Sequence, residues 1–171
     1  RSQRCILAGG ATERPIAFSN NDRPGIMLAG AVRAYVNRFG ASPGKRVAIF
    51  TNNDDGWATA KDLHAAGVEI TAIIDTRPDC QKTPPAGALC VRGGLVVNSK
   101  GRLGLSSILI NNGIRIPADC LAVSGGWSPN VHLTCHHRGR PIWDDTIAGF
   151  VPGRDLPDGM IVVGTAIGNM G

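Results

Sequence analysis

Residues 46–75, "RVAIFTNNDDGWATAKDLHAAGVEITAIID", constrain the fold more than any other stretch, because strand and helix signals alternate along them. An apolar run at 47–50 predicts a buried strand, a helical stretch follows and ends at Gly67, and a second apolar run at 68–74 closes on Asp75. Strand, helix and strand in this order place two parallel strands side by side under a helix. The stretch therefore predicts a βαβ unit of dinucleotide-binding type.

The phosphate-binding glycines of such a unit are mostly missing. A G-x-G-x-x-G loop would fall on Thr51, Asn53 and Gly56, and only the third glycine is present. The first two glycines permit a tight turn and a close approach to pyrophosphate, whereas the third lets helix and strand pack closely. Thr51 and Asn53 bring side chains into the pyrophosphate space, and Asp54 and Asp55 add negative charge where carboxylates satisfy helix N–H groups. We therefore expect a dinucleotide fold that keeps the packing glycine and no longer binds a dinucleotide.

The acid at the end of the second strand has two interpretations. In dinucleotide-binding domains an acid here holds ribose hydroxyls and favours NAD over NADP. Asp75 has this position, although Arg77 two residues later weakens that preference. The alternative is a surface acid at a strand end with no ligand. The sequence leaves both open.

Residues after the βαβ unit change in character. A Pro-rich connection leads to a short helical turn near residues 86–90. Short strand-like runs then fill residues 94–124, separated by Lys-Gly and Asn-Gly turns. This pattern predicts an antiparallel meander, which usually follows the βαβ half of a dinucleotide-type domain.

Two similar strand-like runs flank this region and suggest an insertion. "CILAGG" and "CLAVSGG" both read as buried strands that stop on a Gly pair. Between the first of them and the βαβ unit, Asp22 as the cap and Pro24 in the first turn predict a helix that stops at Gly40. The fold prediction is α/β: a Rossmann-like dinucleotide-type domain (βαβ plus antiparallel β-meander) inserted between fragments of an outer FAD/NAD(P)-binding-type domain. The expected bounds are 41–124 for the inner domain, 1–40 for the outer fragment and connecting helix, and 125–171 for the return segment.

Composition excludes several classes of function. Hydrophobic residues make up 43% and charged residues 18%, and the longest apolar runs are only strand-sized, so no membrane span is expected. The net charge is +5, but the basic residues are scattered and aromatics are 5%, which argues against nucleic-acid binding. Five cysteines without a C-x-x-C pair fit a reducing cytosol, hence a cytoplasmic location. The start, "RSQRCILAGG", has no initiator methionine, so we expect a segment of a larger chain.

Catalytic and metal-binding constellations are absent from the sequence pattern. Ser124 precedes a Gly pair but does not form a G-x-S-x-G elbow. Cys135-His136-His137 with His132 matches no usual zinc-ligand spacing, which favours a polar surface loop. We expect no catalytic and no metal-binding residue here. The three tryptophans pack in a core or contact another subunit, and the sequence does not separate these options: Trp57, Trp127 and Trp143.

Several stretches carry a resemblance to a known family. They are "ERP…NDRPGIML", "FTNNDDGWATA", and "SGGWSPNVHL" followed by "RGRPIWDDTIAGFVPG". Over essentially its whole length the chain resembles the alpha subunit of heterotetrameric sarcosine oxidase, within the two-dinucleotide-fold, pyridine nucleotide-disulfide oxidoreductase-like flavoproteins. Related opine or amino-acid dehydrogenase alpha subunits share the "ERP…PGIML" part and are the alternative.

The resemblance implies an oxidoreductase of four different subunits (alpha, beta, gamma and delta) in which the alpha chain carries NAD. Sarcosine is oxidised at a flavin on the beta subunit, and electrons pass through FMN at the alpha–beta interface to oxygen, which gives hydrogen peroxide. The parent complex also holds FAD and, in the C-terminal part of alpha, tetrahydrofolate. This segment is then expected to support NAD binding and assembly rather than the chemistry, and a non-catalytic scaffold is the alternative.

With a degenerate inner loop, the resemblance moves NAD to the outer domain, bound mostly by residues outside this segment. Two triplets match the family's A-T-G-like strand end and its final strand end, and are expected as walls of the NAD site: Ala8, Gly9, Gly10, Gly164, Thr165 and Ala166. Thr165 stands where flavin-binding relatives carry an Asp that holds the ribityl chain, which is consistent with NAD. The alternative for the first Gly pair is a tight turn without a ligand.

Overall fold

A computed structural model describes residues 3–170, apart from the side chain of His137. The helices are α1 (Ala29–Phe39) and α2 (Asp54–Ala65), with 3₁₀ turns at His132–Arg138 and Gly164–Ile167. The strands are β1 (Cys5–Leu7), β2 (Ala11–Glu13), β3 (Ile26–Leu28), β4 (Arg46–Thr51), β5 (Glu69–Asp75), β6 (Leu89–Arg92), β7 (Val96–Lys100), β8 (Ser107–Ile110), β9 (Arg115–Pro117), β10 (Cys120–Ser124), β11 (Trp127–Pro129), β12 (Ile142–Asp144), β13 (Gly149–Val151) and β14 (Met160–Val162).

The chain forms two compact units. Residues Pro15–Gly126 form one, called the inner unit below. The stretches on either side of it, up to Arg14 and from Trp127, together form the outer unit. The outer unit is therefore made of two segments that are separated in sequence by the whole inner unit.

A five-stranded parallel sheet in the order β3-β10-β4-β5-β6 forms the centre of the inner unit. Its central strands are apolar runs because parallel sheets are covered on both faces. On one face the two helices bury Val32 and Leu63 against Ile49. On the other face the antiparallel sheet β7-β8-β9 buries Ile108 against Phe50. The predicted α/β class, with a βαβ unit followed by a meander, is confirmed.

The last strand of the predicted meander belongs to the parallel sheet instead. Only β9 completes the meander, whereas β10 lies between β3 and β4. Every residue of β10 is buried, which a strand in a two-layer meander with one solvated face does not achieve. The turn between β9 and β10 is held by Asp119, which bonds to the backbone of Arg46 through both its N–H (3.0 Å) and its carboxylate (2.8 Å).

Two local predictions at the ends of elements differ from the structure, and a third is confirmed. Helix α1 begins at Ala29 with Leu28 as its cap, so Asp22 is not the cap. The reason is that the backbone of β3 is hydrogen-bonded to β10, which keeps residues 26–28 extended and delays the start of the helix. Residues 86–87 lie in a single turn closed by the Ala88 N–H and the Pro85 carbonyl (3.2 Å). The predicted helical turn does not extend to residue 90, because edge strand β6 begins at Leu89 and pairs with β5. The helix end at Gly40 is confirmed, with φ at +60° and its N–H bonded to the Val36 carbonyl at 3.0 Å.

The compact inner unit begins at Pro15, whereas the sequence places the start of the inner domain at residue 41. The difference is β3 and α1, which join the inner sheet by pairing with β10 and packing on it. Pairing between strands that lie about ninety residues apart leaves no local trace in the sequence. The assignment of these regions to an outer and an inner domain stays a prediction.

The outer unit consists of short strand pairs. β1 pairs in parallel with β14, β2 pairs antiparallel with β11, and β12 pairs antiparallel with β13. Each of these strands has three residues. Over the described residues, neither helix is long and apolar enough to cross a membrane.

Candidate functional site

The loop from β4 into α2 lies where a dinucleotide-binding domain receives pyrophosphate. Asn53 caps the helix, and its Oδ1 accepts the N–H of Asp55 at 2.9 Å. The buried Thr51 hydroxyl accepts the Asn53 N–H at 3.1 Å and donates to the Asn53 carbonyl at 2.9 Å. N–H groups at a helix start bind anions when they are free. Here the protein's own side chains use two of them.

The same loop is bonded to the neighbouring strand end. Asn53 Nδ2 donates to the Ser124 carbonyl at 3.0 Å, and the Ser124 hydroxyl donates to Asn53 Oδ1 at 3.2 Å. The Asn52 N–H also donates to the Ser124 carbonyl, at 3.2 Å. In open α/β sheets, ligands bind in the crevice at the carboxyl ends of the strands. These bonds hold the ends of β4 and β10 together across that crevice.

Gly56 keeps the packing role that the sequence predicts. A Cβ on this residue would overlap Thr51 Cβ and Oγ1 and would lie 2.8 Å from Thr51 Cγ2. Both residues are buried, so neither has room to shift. Helix α2 therefore sits on strand β4 at a distance that only glycine allows, and this prediction is confirmed.

Asp75 is fully buried at the end of β5. Its carboxylate accepts the Trp57 indole N–H at 2.7 Å and the Arg77 guanidinium at 2.8 and 3.1 Å, together with the Arg77 backbone N–H at 2.9 Å. Burial by itself raises the pKa of Asp75, but the hydrogen bonds from Arg77 and Trp57 outweigh it and hold the pKa below its ordinary value. The alternative of a surface acid is wrong. The ribose role stays a prediction, and a ribose would have to share oxygens that already accept four bonds.

Arg77 also links this buried acid to the start of α2. Its Nη1 donates to Asp54 at 2.9 Å, and Lys82 lies 3.0 Å from the other oxygen of Asp54. Hydrogen bonds from Lys82 and then Arg77 lower the pKa of Asp54. The negative charge expected at the helix start is thus present, and it is paired with the protein's own cations.

The six wall residues predicted for NAD lie together in the outer unit. β1 and β14 run side by side with Leu7 opposite Val162, so the triplets that follow them are neighbours. A Cβ on Gly10 would lie 3.9 Å from Thr165 Oγ1. Gly164 has φ at +69° and open space where a side chain would be. Ala166 is fully buried, so its methyl group packs inside the unit. The NAD role of these residues stays a prediction.

Some contributors to these sites were missed by sequence reasoning. Trp57 is buried, and its helical spacing with Ala60 and Leu63 is a signal for a core position, but nothing local indicates its bond to Asp75. Asn130, which bonds to the Gly9 carbonyl at 2.8 Å, has no local signal in the sequence either.

In the Cys135 stretch, which the sequence analysis considered as a zinc site, the thiol of Cys135 donates to the Val131 carbonyl at 3.3 Å. Among the described residues, no group of three or more acidic, His or Cys side chains is arranged to hold a metal ion.

The known sequences that this chain resembles are alpha subunits of sarcosine oxidase. The chain is 44% identical to the sarcosine oxidase alpha subunit of Rhizobium meliloti (strain 1021), in an alignment of 171 positions that covers 98% of the chain. It is 40% identical to that of Corynebacterium sp. (strain U-96), in an alignment of 167 positions that covers 89% of the chain. The chain is homologous to a segment of sarcosine oxidase alpha subunits. It spans 17% of the length of each of these relatives, and the predicted resemblance is confirmed. No family model matches it.

Solved structures share the fold. The L-proline dehydrogenase of P. horikoshii aligns with a TM-score of 0.75 at 20% identity, over 96% of this chain and 30% of that one. An FAD-dependent pyridine nucleotide-disulphide oxidoreductase of Desulfovibrio vulgaris aligns with a TM-score of 0.68 at 15% identity, over 98% of this chain and 46% of that one. At these identities the likeness shows the fold alone, and it confirms the predicted α/β fold class.

Proposed function

We propose that this chain is part of a sarcosine oxidase alpha subunit and that it supports NAD binding and subunit assembly rather than the chemistry. The parent enzyme, in the cytoplasm, demethylates sarcosine oxidatively to glycine, with hydrogen peroxide and methylene-tetrahydrofolate as products. Its alpha subunit assembles with beta, gamma and delta subunits and shares FAD, FMN and tetrahydrofolate with them. The support is the identity of 39–44% to three such subunits.

The observation that carries this proposal is the closed loop of the inner unit. Asn53 uses its side chain both to cap α2 and to bond with Ser124 across the crevice. A pyrophosphate needs that space and those N–H groups. The residues of the inner unit therefore do not fit a dinucleotide, and NAD is assigned to the outer unit.

The outer unit does fit part of a dinucleotide site. Gly9 and Gly164 have exposed backbones without a side chain, at adjoining strand ends. Glycine at such ends lets the backbone approach a cofactor closely. The rest of the site, including the phosphate-binding loop, is then supplied by residues outside this chain.

Calorimetric titration of this chain with NAD, NADP and FAD tests the assignment. No heat of binding for any of the three, up to millimolar concentration, is the expected result. Tight binding of NAD that Asn53→Ala or Asp75→Asn abolishes would overturn it and make the inner unit a working nucleotide domain. Asn112→Ala is the matched control, because Asn112 also accepts a backbone N–H (3.1 Å) but lies in a solvent-exposed turn.

A pure scaffold is the second candidate, and one observation favours it. The parallel pair β1–β14 exposes Ile6 (71%) and Ile161 (53%), whereas parallel strands are normally covered on both faces. In that case the full alpha subunit would bind its partner subunits but retain no NAD. Ile6→Ser with Ile161→Ser would weaken assembly and leave the inner unit intact.

The dehydrogenase alternative predicts that the parent complex oxidises another amino acid faster than sarcosine.

A further inference from the structure

Gly9 is a glycine that its own fold does not require. Its backbone lies outside the left-handed region, unlike that of Gly10, whose φ is +71°. The atoms nearest to a Cβ on Gly9 would be Leu7 Cδ1 at 3.8 Å and Asn130 Cβ and carbonyl oxygen at 3.9 Å, which are ordinary contacts. Neither strain nor crowding explains the missing side chain. Close approach of a ligand to the backbone does explain it.

One residue, Asn130, bonds to both carbonyl groups of this turn. Asn130 Nδ2 donates to the Gly9 carbonyl at 2.8 Å, and the Asn130 backbone N–H donates to the Gly10 carbonyl at 3.0 Å. Asn130 Oδ1 in turn accepts the Thr12 hydroxyl at 2.9 Å, which fixes the orientation of the amide. The segment after β11 is thereby joined to the turn after β1, about 120 residues earlier in the chain.

These bonds have an electrostatic consequence. Carbonyl oxygens carry partial negative charge and repel an anionic ligand. Asn130 engages both carbonyls of the Gly9–Gly10 turn and supplies a donor to each. The turn therefore presents its glycine backbone to a pyrophosphate-containing ligand with those oxygens already satisfied by protein.

We propose that Asn130 is a positioning residue for the dinucleotide, acting through the Gly9–Gly10 turn. This inference rests on the proposed NAD site in the outer unit. The bond from Nδ2 to the Gly9 carbonyl is the essential one, and the bond from Thr12 serves only to orient the amide.

The test uses the full alpha subunit in its assembled complex, with NAD as the probe. Asn130→Ala is expected to weaken NAD binding about fivefold to tenfold, the equivalent of one or more hydrogen bonds. Asn130→Asp keeps the acceptor for Thr12 but loses the donor to Gly9 and adds negative charge. It is expected to bind NAD still more weakly, with a deficit that added salt reduces.

Two controls separate positioning from folding. Thr12→Val keeps the bond to Gly9 and is expected to retain NAD affinity within about twofold. Asn112→Ala removes a comparable side-chain-to-backbone bond in the inner unit and is expected to change nothing. Flavin content and melting temperature are expected to match wild type in all four variants.

Three other results would overturn the positioning role of Asn130. Wild-type affinity in Asn130→Ala, or equal losses in Thr12→Val and Asn130→Ala, overturns the positioning role. A loss of NAD affinity accompanied by a loss of flavin and melting temperature assigns Asn130 to folding alone and also overturns it. A wild-type complex that binds no NAD refutes the proposed function itself, together with this inference.

Discussion

Replacing Arg77 by methionine removes the guanidinium fork and leaves a side chain of similar length. The substitution deletes two charged hydrogen bonds to Asp75, at 2.8 and 3.1 Å, and the bond to Asp54 at 2.9 Å. Asp75 is fully buried and would keep as donors the Trp57 indole, the backbone N–H of residue 77 and the Cys80 thiol, all of them uncharged. Its charge would then have no cation beside it.

The expected loss of stability depends on how exposed the Arg77 and Asp54 side chains are. Breaking a fully buried ion pair costs about 3–5 kcal/mol, and hydrogen bonds to charged groups contribute about 1.5–3 kcal/mol. Because the Arg77 side chain is 38% exposed, water can enter where it was, and we expect about 2–3 kcal/mol of lost stability. Asp54 is 60% exposed, so Asp54→Asn is expected to cost about 1 kcal/mol or less.

Urea unfolding of the chain at neutral pH measures both variants. The double variant Asp75→Asn with Arg77→Met should recover part of the loss, since a neutral amide needs no cation. The reasoning is refuted if Arg77→Met costs no more than Asp54→Asn, because burial of Asp75 would then have no consequence for stability.

The same experiment has a pH dependence with a definite sign. The pKa of Asp75 is lower in the folded protein than its ordinary value, so the stabilisation is complete above that ordinary value. It is lost as the pH falls through the lowered pKa of the folded state. The difference in stability between wild type and Arg77→Met should therefore shrink in acid. A difference that grows as the pH falls would contradict the assignment.

Three further outcomes are expected. Gly56→Ala should lower the melting temperature, because overlap with Thr51 costs about 1–3 kcal/mol and exceeds the helix-propensity gain of about 1 kcal/mol; a raised melting temperature would contradict this. Burial raises the pKa of the Cys120 thiol to about 12, so mild alkylation read by mass spectrometry should label exposed Cys5 and spare Cys120 until the chain unfolds. Gly9→Ala should leave the melting temperature unchanged, since its Cβ meets no atom closer than 3.8 Å, and on the proposed function it should weaken NAD binding in the full complex; a fall in melting temperature would show that the fold needs this glycine.

The sequence patterns predicted the two strands of the βαβ unit to within one residue at each end. The runs at 47–50 and 68–74 became β4 and β5, and the expected contact of Gly56 with the strand is present. These features follow from side-chain periodicity and from the space one residue occupies, which are local properties. The start of α1 was misplaced because a distant strand, β10, competes for the backbone of residues 26–28.

The candidate sites depended on contacts that no local pattern encodes. Trp57 reaches Asp75 because helix α2 crosses strand β5, and Asn53 reaches Ser124 because β10 is the neighbour of β4 in the sheet. The sequence suggested a loop unsuited to pyrophosphate from its residue types. The bonds that close the crevice became visible only with the strand order.

By itself, the sequence determined the α/β class, the likeness to sarcosine oxidase alpha subunits and the loss of two loop glycines. Each of these follows from which residue stands at a position or from the spacing of apolar residues over a few positions. Only the tertiary structure decided that Asp75 is buried against Arg77 and that Asn130 braces the Gly9–Gly10 turn. Hydrogen-bond partners far apart in sequence are chosen by which strands pack side by side, and that choice belongs to the whole fold.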